Sequence, residues 1–319
     1  MKKLFAIVAG EPNSINSEII AKAWKKIKKK DNLFVIGNYL LIKKQITKIG
    51  IKIKISKIHS INKFENNDNL NILDVPLKFK SIFEDNFANS KKYVIKCLDI
   101  AHTLAIKKKI KGFINGPVDK KIFNSKYLGV TEYLANKNNI KENFVMMIYN
   151  KKFSVVPLTT HLEIKDVTNR IKHEIIRNKI LVLNNFYKKL FKKNPKISVL
   201  GLNPHNSENR KNSIEHRIIK PAIKNLKRLG LNIKGPFPAD TVFNNQKKLK
   251  FNVAVGMYHD QVLAPFKALY GFDAINITLG LQYLRITPDH GTARDIAGLN
   301  KANPQSLISA INFLNRVND

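Results

Sequence analysis

Short apolar runs alternate with longer amphipathic segments along most of the chain. Residues 4–9, 33–36 and 112–115 have the length and apolar content of buried strands, and the segments between them repeat apolar residues at helical spacing. Strands that alternate with helices favour parallel pairing through right-handed crossovers. The pattern therefore predicts an α/β fold with a mostly parallel sheet.

The same pattern gives approximate bounds for the other elements. Further strands are predicted at residues 51–55, 144–149, 153–157, 197–202, 253–257 and 273–279, and helices from residue 17 and at 39–49, 91–109, 166–193 and 214–229. Two more helices are predicted from Thr292 and from Pro304. Residues 62–89 are Asn-rich and predict loops with short edge strands, whereas prolines in residues 235–241 predict a rigid loop.

Three predicted strands end in loops that carry a histidine, namely His161, His205 and His259. Ligands of open α/β sheets bind at the carboxyl ends of the strands, because the loops converge there. Neutral imidazoles suit zinc or cobalt, and three of them leave a coordination position open for a substrate. The pattern favours a three-histidine metal site. Separate loop histidines, each satisfied by hydrogen bonds, are the alternative.

Polar residues in apolar surroundings indicate a second candidate site. Arg285 stands between two aliphatic residues in a loop predicted after strand 273–279, and a guanidinium there would hold a phosphate or a carboxylate. Lys267 fits the same role, with a solvated helix residue as the alternative. Asn276 is either a ligand-binding amide or a satisfied core amide. No G-x-G-x-x-G motif follows a predicted strand, so the standard dinucleotide fingerprint is absent.

The chain has a formal net charge of +34 and a pI near 10.1. Such values point to nucleic acid or an anionic membrane surface when the charge is concentrated. Here the 57 basic residues comprise 8 Arg and 49 Lys, and the lysines are spread over nearly every predicted helix. Because phosphate backbones and bases are recognised mainly by Arg, a whole-chain composition bias is the favoured interpretation. A basic nucleic-acid-binding protein on an inactive enzyme fold is the alternative.

Cys97 is the single cysteine, which excludes an internal disulfide and suits a reducing cytoplasm. The apolar run at residues 4–9 is too short for a signal peptide and lacks a small-residue cleavage pattern. No stretch approaches the length of a membrane span. We therefore expect a cytoplasmic protein with no membrane partner.

Several motifs together carry a family resemblance that covers nearly the whole chain. They are Gly116-Pro117-Val118-x-Lys120, Thr159-Thr160-His161, Gly201-Leu202-Asn203-Pro204-His205, Pro236-Phe237-Pro238-Ala239-Asp240-Thr241, and the stretch from Tyr258-His259-Asp260-Gln261 to Gly298. With these motifs the chain resembles the 4-hydroxythreonine-4-phosphate dehydrogenases of vitamin B6 biosynthesis. The last two motifs are long and highly specific.

The resemblance implies a two-domain α/β fold like that of the isocitrate and isopropylmalate dehydrogenases, with the active site in a cleft. The outer domain would comprise residues 1–125 and 262–319. The middle domain, residues 126–261, would carry dimerisation and the metal ligands. A homodimer with its active site at or near the subunit interface is expected. The family binds NAD without the Rossmann fingerprint, and NADP is the alternative cofactor.

The resemblance also assigns roles to residues at matching positions of this chain. A divalent metal such as zinc, cobalt or magnesium would be held by His161, His205 and His259. A small phosphorylated substrate would contact Thr131, Lys267, Asn276 and Arg285, and the cofactor would contact Asp289, His290, Gly291, Thr292 and Asp295. Asp240 is a candidate for the catalytic proton acceptor.

The implied reaction is oxidation of the C3 hydroxyl of 4-phosphooxy-L-threonine by NAD, followed by decarboxylation to 3-amino-2-oxopropyl phosphate. D-threonate 4-phosphate or D-erythronate 4-phosphate is the alternative substrate. The chain departs from the family pattern at several positions. Val130 replaces a histidine, Arg294 and Gln282 replace Phe and Pro, and the segments after residue 10 and after His205 lack glycines that the family has.

Overall fold

The computed structural model describes residues 4–28, 32–65, 67–83, 87–123, 127–140, 143–271 and 273–318. These residues form twelve β-strands and eleven α-helices. The strands are β1 (Leu4–Val8), β2 (Leu33–Gly37), β3 (Ile55–Ile58), β4 (Leu70–Asp74), β5 (Ile110–Asn115), β6 (Val145–Tyr149), β7 (Ser154–Pro157), β8 (Ile197–Leu200), β9 (Ile233–Phe237), β10 (Val253–Gly256), β11 (Ile275–Leu279) and β12 (Leu284–Pro288). The helices are α1 (Asn16–Lys26), α2 (Tyr39–Lys48), α3 (Phe87–Ile106), α4 (Val130–Lys137), α5 (Ile164–Arg170), α6 (His173–Phe191), α7 (Lys220–Arg228), α8 (Ala239–Val242), α9 (Gln246–Leu249), α10 (His259–Tyr270) and α11 (Gln305–Asn318). None of these helices combines the length and the apolar character that a bilayer crossing requires.

The chain divides into two compact units. The first unit comprises Met1–Asn139 and Leu281–Asp319, and the second comprises Ile140–Gly280. Both units are built from helices and mostly parallel strands, which confirms the predicted α/β fold class. Their boundaries differ from those of the predicted domains, 1–125 with 262–319 and 126–261. The dimerising and metal-binding roles of those domains stay predictions.

The first unit has parallel strands in the order β3-β4-β2-β1-β5-β12. All five residues of β2 are buried, as expected for a parallel strand that is covered on both faces. The Asn-rich segment predicted as loops and edge strands contributes β4 to the sheet interior, because Leu70 and Ile72 are fully buried there. β3 begins at Ile55 rather than at residue 51, since the alternating Ile pattern that predicted it continues to Ile58.

The second unit has the strand order β11-β6-β7-β10-β8-β9. β7, β10, β8 and β9 are parallel, and β6 is antiparallel to β7 and β11. Its core packs around Phe153, whose ring centroid lies 5.9, 5.3 and 6.0 Å from those of Phe243, Phe251 and Phe266. Because β7, β10 and β8 are adjacent and parallel, their carboxyl ends lie at one edge of the sheet, as predicted.

Three other predicted elements are wrong. The helix predicted at 166–193 is two helices, α5 and α6, because the backbone is extended at Ile171 and Lys172 and Ile171 is buried. The loop predicted at 235–241 begins inside β9, an edge strand in which a proline is tolerated. The helix predicted from Thr292 is a 3-10 turn at Arg294–Ile296, because Ala293 has a left-handed backbone.

Candidate functional site

β12 carries Arg285 into the interior of the first unit. The predicted loop around this residue is a strand, paired in parallel with β5 so that Arg285 lies opposite Phe113. The side chain is buried; its Nε donates to Asn115 Oδ1 at 2.7 Å and its Nη1 donates to Thr131 Oγ1 at 2.8 Å. The loop prediction was wrong because a single arginine hid the apolar pattern of a buried strand.

Burial lowers the pKa of Arg285 to about 10, although the charge of Glu132 acts in the opposite direction. The guanidinium therefore stays protonated at neutral pH. Burying a cation is costly unless other groups compensate it, and the contacts from Asn115 and Thr131 orient the guanidinium without adding a negative charge. Such an oriented guanidinium suits a phosphate or carboxylate ligand. Two of the predicted substrate residues, Thr131 and Arg285, are thus in direct contact.

The other predicted substrate and catalytic residues lie in the second unit. Lys267 is exposed in the last turn of α10, and Asp240 is exposed in α8. Asn276 lies in β11 opposite Ile148, and its Oδ1 is buried with no hydrogen-bond partner among the described residues. A buried amide oxygen in this state requires a partner, which a bound ligand or a water molecule would supply. The roles of all three residues stay predictions.

His161 and His259 approach each other in the loops that follow β7 and β10. Parallel pairing sets Pro157 opposite Gly256, and the loops continue side by side, since Thr159 Oγ1 donates to the Met257 carbonyl at 2.8 Å. The two imidazole centroids are 6.0 Å apart. Two imidazoles on one tetrahedral zinc have centroids about 5 Å apart, so this pair fits two ligands of a metal ion.

Hydrogen bonding orients the imidazole of His259. Its Nδ1 lies 2.6 Å from Asp260 Oδ1, the contact by which a carboxylate fixes the ring orientation of a metal-binding histidine. With Nδ1 engaged in this way, Nε2 is the nitrogen left for a metal. His161 contributes a second unusual feature, a left-handed backbone with φ 57°. Non-glycine residues rarely adopt this conformation, and those that do are enriched at functional sites.

His205 lies in a left-handed turn after β8 and is exposed. Five consecutive residues, His205 to Asn209, have φ between 50° and 61°, although none of them is glycine. Within the described ranges, no three His, Cys, Asp or Glu side chains come close enough together to hold one ion. His205 therefore does not join the pair formed by His161 and His259, and the three-histidine metal site stays a prediction.

A buried carboxylate holds the turn that carries His205. Glu215 is fully buried; one of its oxygens accepts from the backbone N–H groups of Leu202 and Asn203 at 3.0 and 2.8 Å, and the other accepts from Ser207 Oγ at 3.0 Å. Burial raises the pKa of Glu215, but these hydrogen bonds outweigh it and hold the pKa below the ordinary value. Glu215 opens a π-helical turn, Glu215–Ile219, within the predicted helix 214–229.

The predicted cofactor residues follow β12 in the first unit. The Asp289 N–H donates to Ser306 Oγ at 2.8 Å, and Thr292 accepts through its carbonyl from the Ile15 N–H at 3.1 Å. His290 Nδ1 donates to the Gly291 carbonyl at 3.1 Å, which makes Nε2 an acceptor; this atom is buried with no partner among the described residues. Burial lowers the pKa of His290, so its imidazole is neutral at pH 7. Asp295 is exposed in the 3-10 turn.

An ion-pair cluster ties this loop to two other strand-end loops of the first unit. Arg294 Nη2 lies 2.8 Å from Glu11 Oε2 and 3.4 Å from Asp119 Oδ2, and the Asp119 N–H donates to Glu11 Oε1. Glu11 is buried. Glu11 and Arg294 are both at positions where the chain departs from the family pattern. An ion pair therefore joins two of the segments in which the chain departs from the family pattern.

Comparison with known proteins identifies the family of this chain. The family model described as "Pyridoxal phosphate biosynthetic protein PdxA" matches residues 29–314. The chain belongs to this family. It is 39% identical to a 4-hydroxythreonine-4-phosphate dehydrogenase from Sulfurihydrogenibium sp. (strain YO3AOP1), over 96% of this chain and 95% of the relative. It is 29% identical to a D-threonate 4-phosphate dehydrogenase from Pectobacterium atrosepticum, over 98% of both chains.

A solved structure shows the same fold. The 4-hydroxythreonine-4-phosphate dehydrogenase from Klebsiella pneumoniae superposes with a TM-score of 0.87 at 28% identity, over 99% of this chain and 100% of that chain. These similarities confirm the predicted family and identify the chain as an enzyme of the PdxA family. They bear on the chain as a whole, and the roles of individual residues stay predictions.

Two residues that support the candidate sites were not predicted from the sequence. Asn115 ends β5 and contacts Arg285, yet nothing in its sequence context separated it from the many other asparagines of this Asn-rich chain. Glu215 lies among basic residues, and its signal was scarcity, since the chain has 23 acidic residues against 57 basic ones. An acidic residue close in sequence to a candidate ligand loop is therefore informative in such a chain.

Proposed function

We propose that this enzyme oxidises 4-hydroxythreonine 4-phosphate (4-phosphooxy-L-threonine) with NAD in pyridoxal phosphate biosynthesis and releases 3-amino-2-oxopropyl phosphate and carbon dioxide. The observation that carries the proposal is the contact between Arg285 and Thr131, at 2.8 Å. It joins two of the residues that the family resemblance assigns to the substrate and presents a buried cation suited to the phosphate or carboxylate.

The reaction balances with NAD as the only oxidant. The C3 hydrogen leaves as hydride to NAD, and the hydroxyl proton passes to a base, for which Asp240 is the candidate. The bond between C2 and the carboxylate carbon then breaks, carbon dioxide leaves, and the carbon takes up a proton. A divalent metal held by His161 and His259, with His205 as the proposed third ligand, would supply Lewis-acid stabilisation of the substrate oxygens.

This chain's own residues bind and orient the reactants. Arg285 and Thr131 anchor an anionic group of the substrate, and His290 offers a neutral acceptor, Nε2, to the cofactor. Glu11 and Arg294 fix the loop that carries His290. We also propose a homodimer as the functional form, tested by light scattering at working concentrations.

Steady-state kinetics test the proposal directly. Purified protein supplied with zinc, cobalt or magnesium should form NADH and carbon dioxide in equal amounts from 4-phosphooxy-L-threonine and NAD. Replacing NAD by NADP measures the cofactor preference. A protein that forms no NADH with any of these metals, while retaining its fold by circular dichroism, would contradict the proposal.

Val130 supports a second candidate substrate. This residue is buried at the start of α4, next to Thr131, where the family pattern has a histidine. Valine offers no hydrogen bond to a substrate amino group, and one relative acts by name on D-threonate 4-phosphate. A higher kcat/KM on D-threonate or D-erythronate 4-phosphate than on the amino acid would favour this candidate, and Val130→His should shift the preference toward the amino acid.

A further inference from the structure

We infer that Asn115 is a positioning residue that orients the Arg285 guanidinium while leaving its positive charge available to an anionic ligand. The inference rests on the proposed role of Arg285 in the first unit and extends it to a residue that the family resemblance did not include. Asn115 is 1% exposed. Its position therefore restricts it to contacts within the protein, and it acts on a ligand through Arg285.

Strand register places these side chains together. Arg285 lies opposite Phe113 in the parallel pair of β12 and β5. Alternate residues of a strand point to the same face, so Asn115 shares a face with Phe113, and Thr287 shares a face with Arg285. The amide then receives two donors on one oxygen, from Arg285 Nε at 2.7 Å and from Thr287 Oγ1 at 3.0 Å.

The remaining contact of Asn115 fixes the orientation of its amide. Nδ2 donates to the Gly116 carbonyl at 3.1 Å, so Oδ1 is the atom that faces Arg285. The guanidinium is held at Nε by this oxygen and at Nη1 by Thr131, which lies in the first turn of α4. Two fixed N–H directions define the plane of the guanidinium.

The charge of the side chain at position 115 determines how strongly Arg285 attracts an anionic ligand. An aspartate at this position would preserve the size and both acceptor contacts, but its carboxylate would pair with Arg285 and compete with a bound anion. An amide supplies the same geometry without that competition. An amide at position 115 therefore holds Arg285 without adding a charge that competes with the ligand.

The test is Asn115→Asp, with inorganic phosphate as the probe. We expect the dissociation constant of phosphate, measured by calorimetry, to rise about tenfold or more, and KM for 4-phosphooxy-L-threonine to rise in parallel with a smaller change in kcat. The melting temperature should change little, because an added carboxylate that pairs with Arg285 offsets the lost hydrogen bond from Asn115 Nδ2 to the Gly116 carbonyl. Thr287→Val is the matched control, because it removes a hydrogen bond to Asn115 and leaves the charge unchanged.

Glu132→Gln is the second variant and should act in the opposite direction. The charge of Glu132 already acts on Arg285, so its removal should tighten phosphate binding about two- to threefold. Equal phosphate affinity in wild type, Asn115→Asp and Glu132→Gln would overturn the inference, as would a wild type that binds no phosphate. If Asn115→Asp weakens phosphate binding but the wild type does not oxidise 4-phosphooxy-L-threonine, the inference stands and the proposed substrate is wrong.

Discussion

The Arg285 cluster of the first unit and the histidine loops of the second unit place their functional groups in different ways. Arg285, Asn115 and Thr287 belong to two adjacent strands, and their contacts follow from the strand register. His161 and His205 extend from loops beyond the strand ends, and both are exposed on left-handed backbone. The first arrangement is part of the protein core, whereas the second is held by loop contacts.

This difference determines what a substitution changes. In the Arg285 cluster, binding and folding share the same hydrogen bonds, so a change that breaks these hydrogen bonds should lower both ligand affinity and stability. In the histidine loops, the imidazoles contribute little to the core, so a change there should affect metal binding with little effect on folding.

The largest expected effect is that of Arg285→Lys. Lysine keeps the charge but loses the planar fork that contacts Asn115 and Thr131. We expect KM for the phosphorylated substrate to rise about a hundredfold and the free energy of unfolding to fall by about 2 kcal/mol. Kinetics and urea unfolding measure the two effects. Arg316→Lys, at an exposed position of α11, is the control; a stable Arg285→Lys enzyme with unchanged KM would remove the distinction between the two regions.

The second expected effect concerns the metal. His259→Ala should abolish stoichiometric zinc binding, and Asp260→Asn should weaken it about ten- to a hundredfold because the imidazole loses its orienting carboxylate. Metal analysis after dialysis and competition with a chelator measure these changes, and urea unfolding should show equal stability of the metal-free proteins. The exposed His216 serves as the control through His216→Ala. Full zinc occupancy in His259→Ala would show that this loop does not bind the metal.

The third expected effect is a pH dependence in the first unit. Burial lowers the pKa of His290 below its ordinary value of 6.5, so the unfolded chain takes up a proton at a higher pH than the folded chain does. The contribution of His290 to the free energy of unfolding is fully present above about pH 6.5. It is lost as pH falls through the pKa of His290 in the folded state. His290→Gln should therefore lose less stability than wild type between about pH 7 and about pH 5. Melting temperatures across this range test it, with the exposed His59→Gln as control; identical slopes for wild type and His290→Gln would contradict it.

The smallest expected effect is that of Glu208→Gly. Glu208 is exposed with φ 51°, and glycine removes the left-handed penalty at the cost of a more flexible unfolded chain. We expect a net gain of about 0.5 kcal/mol in the free energy of unfolding. Lys224→Gly, at an exposed right-handed position of α7, should instead lose about 1 kcal/mol. Equal losses in the two variants would mean that the turn is not left-handed in solution.

The sequence predicted those features that depend on local pattern. The alternation of strands and helices gave the fold class, and apolar runs located β7, β10 and β8, at whose ends the three histidines occur. Arg285 was identified as an anion-binding candidate from its type and neighbours, although its strand was mistaken for a loop. The partner Asn115 was missed because its role arises from the register between β5 and β12, which no local pattern encodes.

Contacts that no local pattern encodes also explain why the conformation of the histidine loops was not predicted. The sequence predicted that His161, His205 and His259 follow adjacent strand ends. The distances between their side chains depend on the backbone conformation of the loops, which turn residues normally indicate. After His205 the expected glycines are missing, so no sequence signal marked the left-handed turn. Its support comes from Glu215, which is a tertiary contact.

The dependence of the His205 turn on Glu215 has an evolutionary consequence. A glycine tolerates left-handed geometry by itself, whereas the turn in this chain has no glycine at 206–208 and is tied through Ser207 to a carboxylate several residues downstream. Loss of that carboxylate would destabilise the turn in this sequence. It would destabilise the turn less if glycines occupied positions 206–208. The order in which such substitutions accumulate is therefore constrained, and positions 206–208 and 215 should co-vary among descendants of this chain.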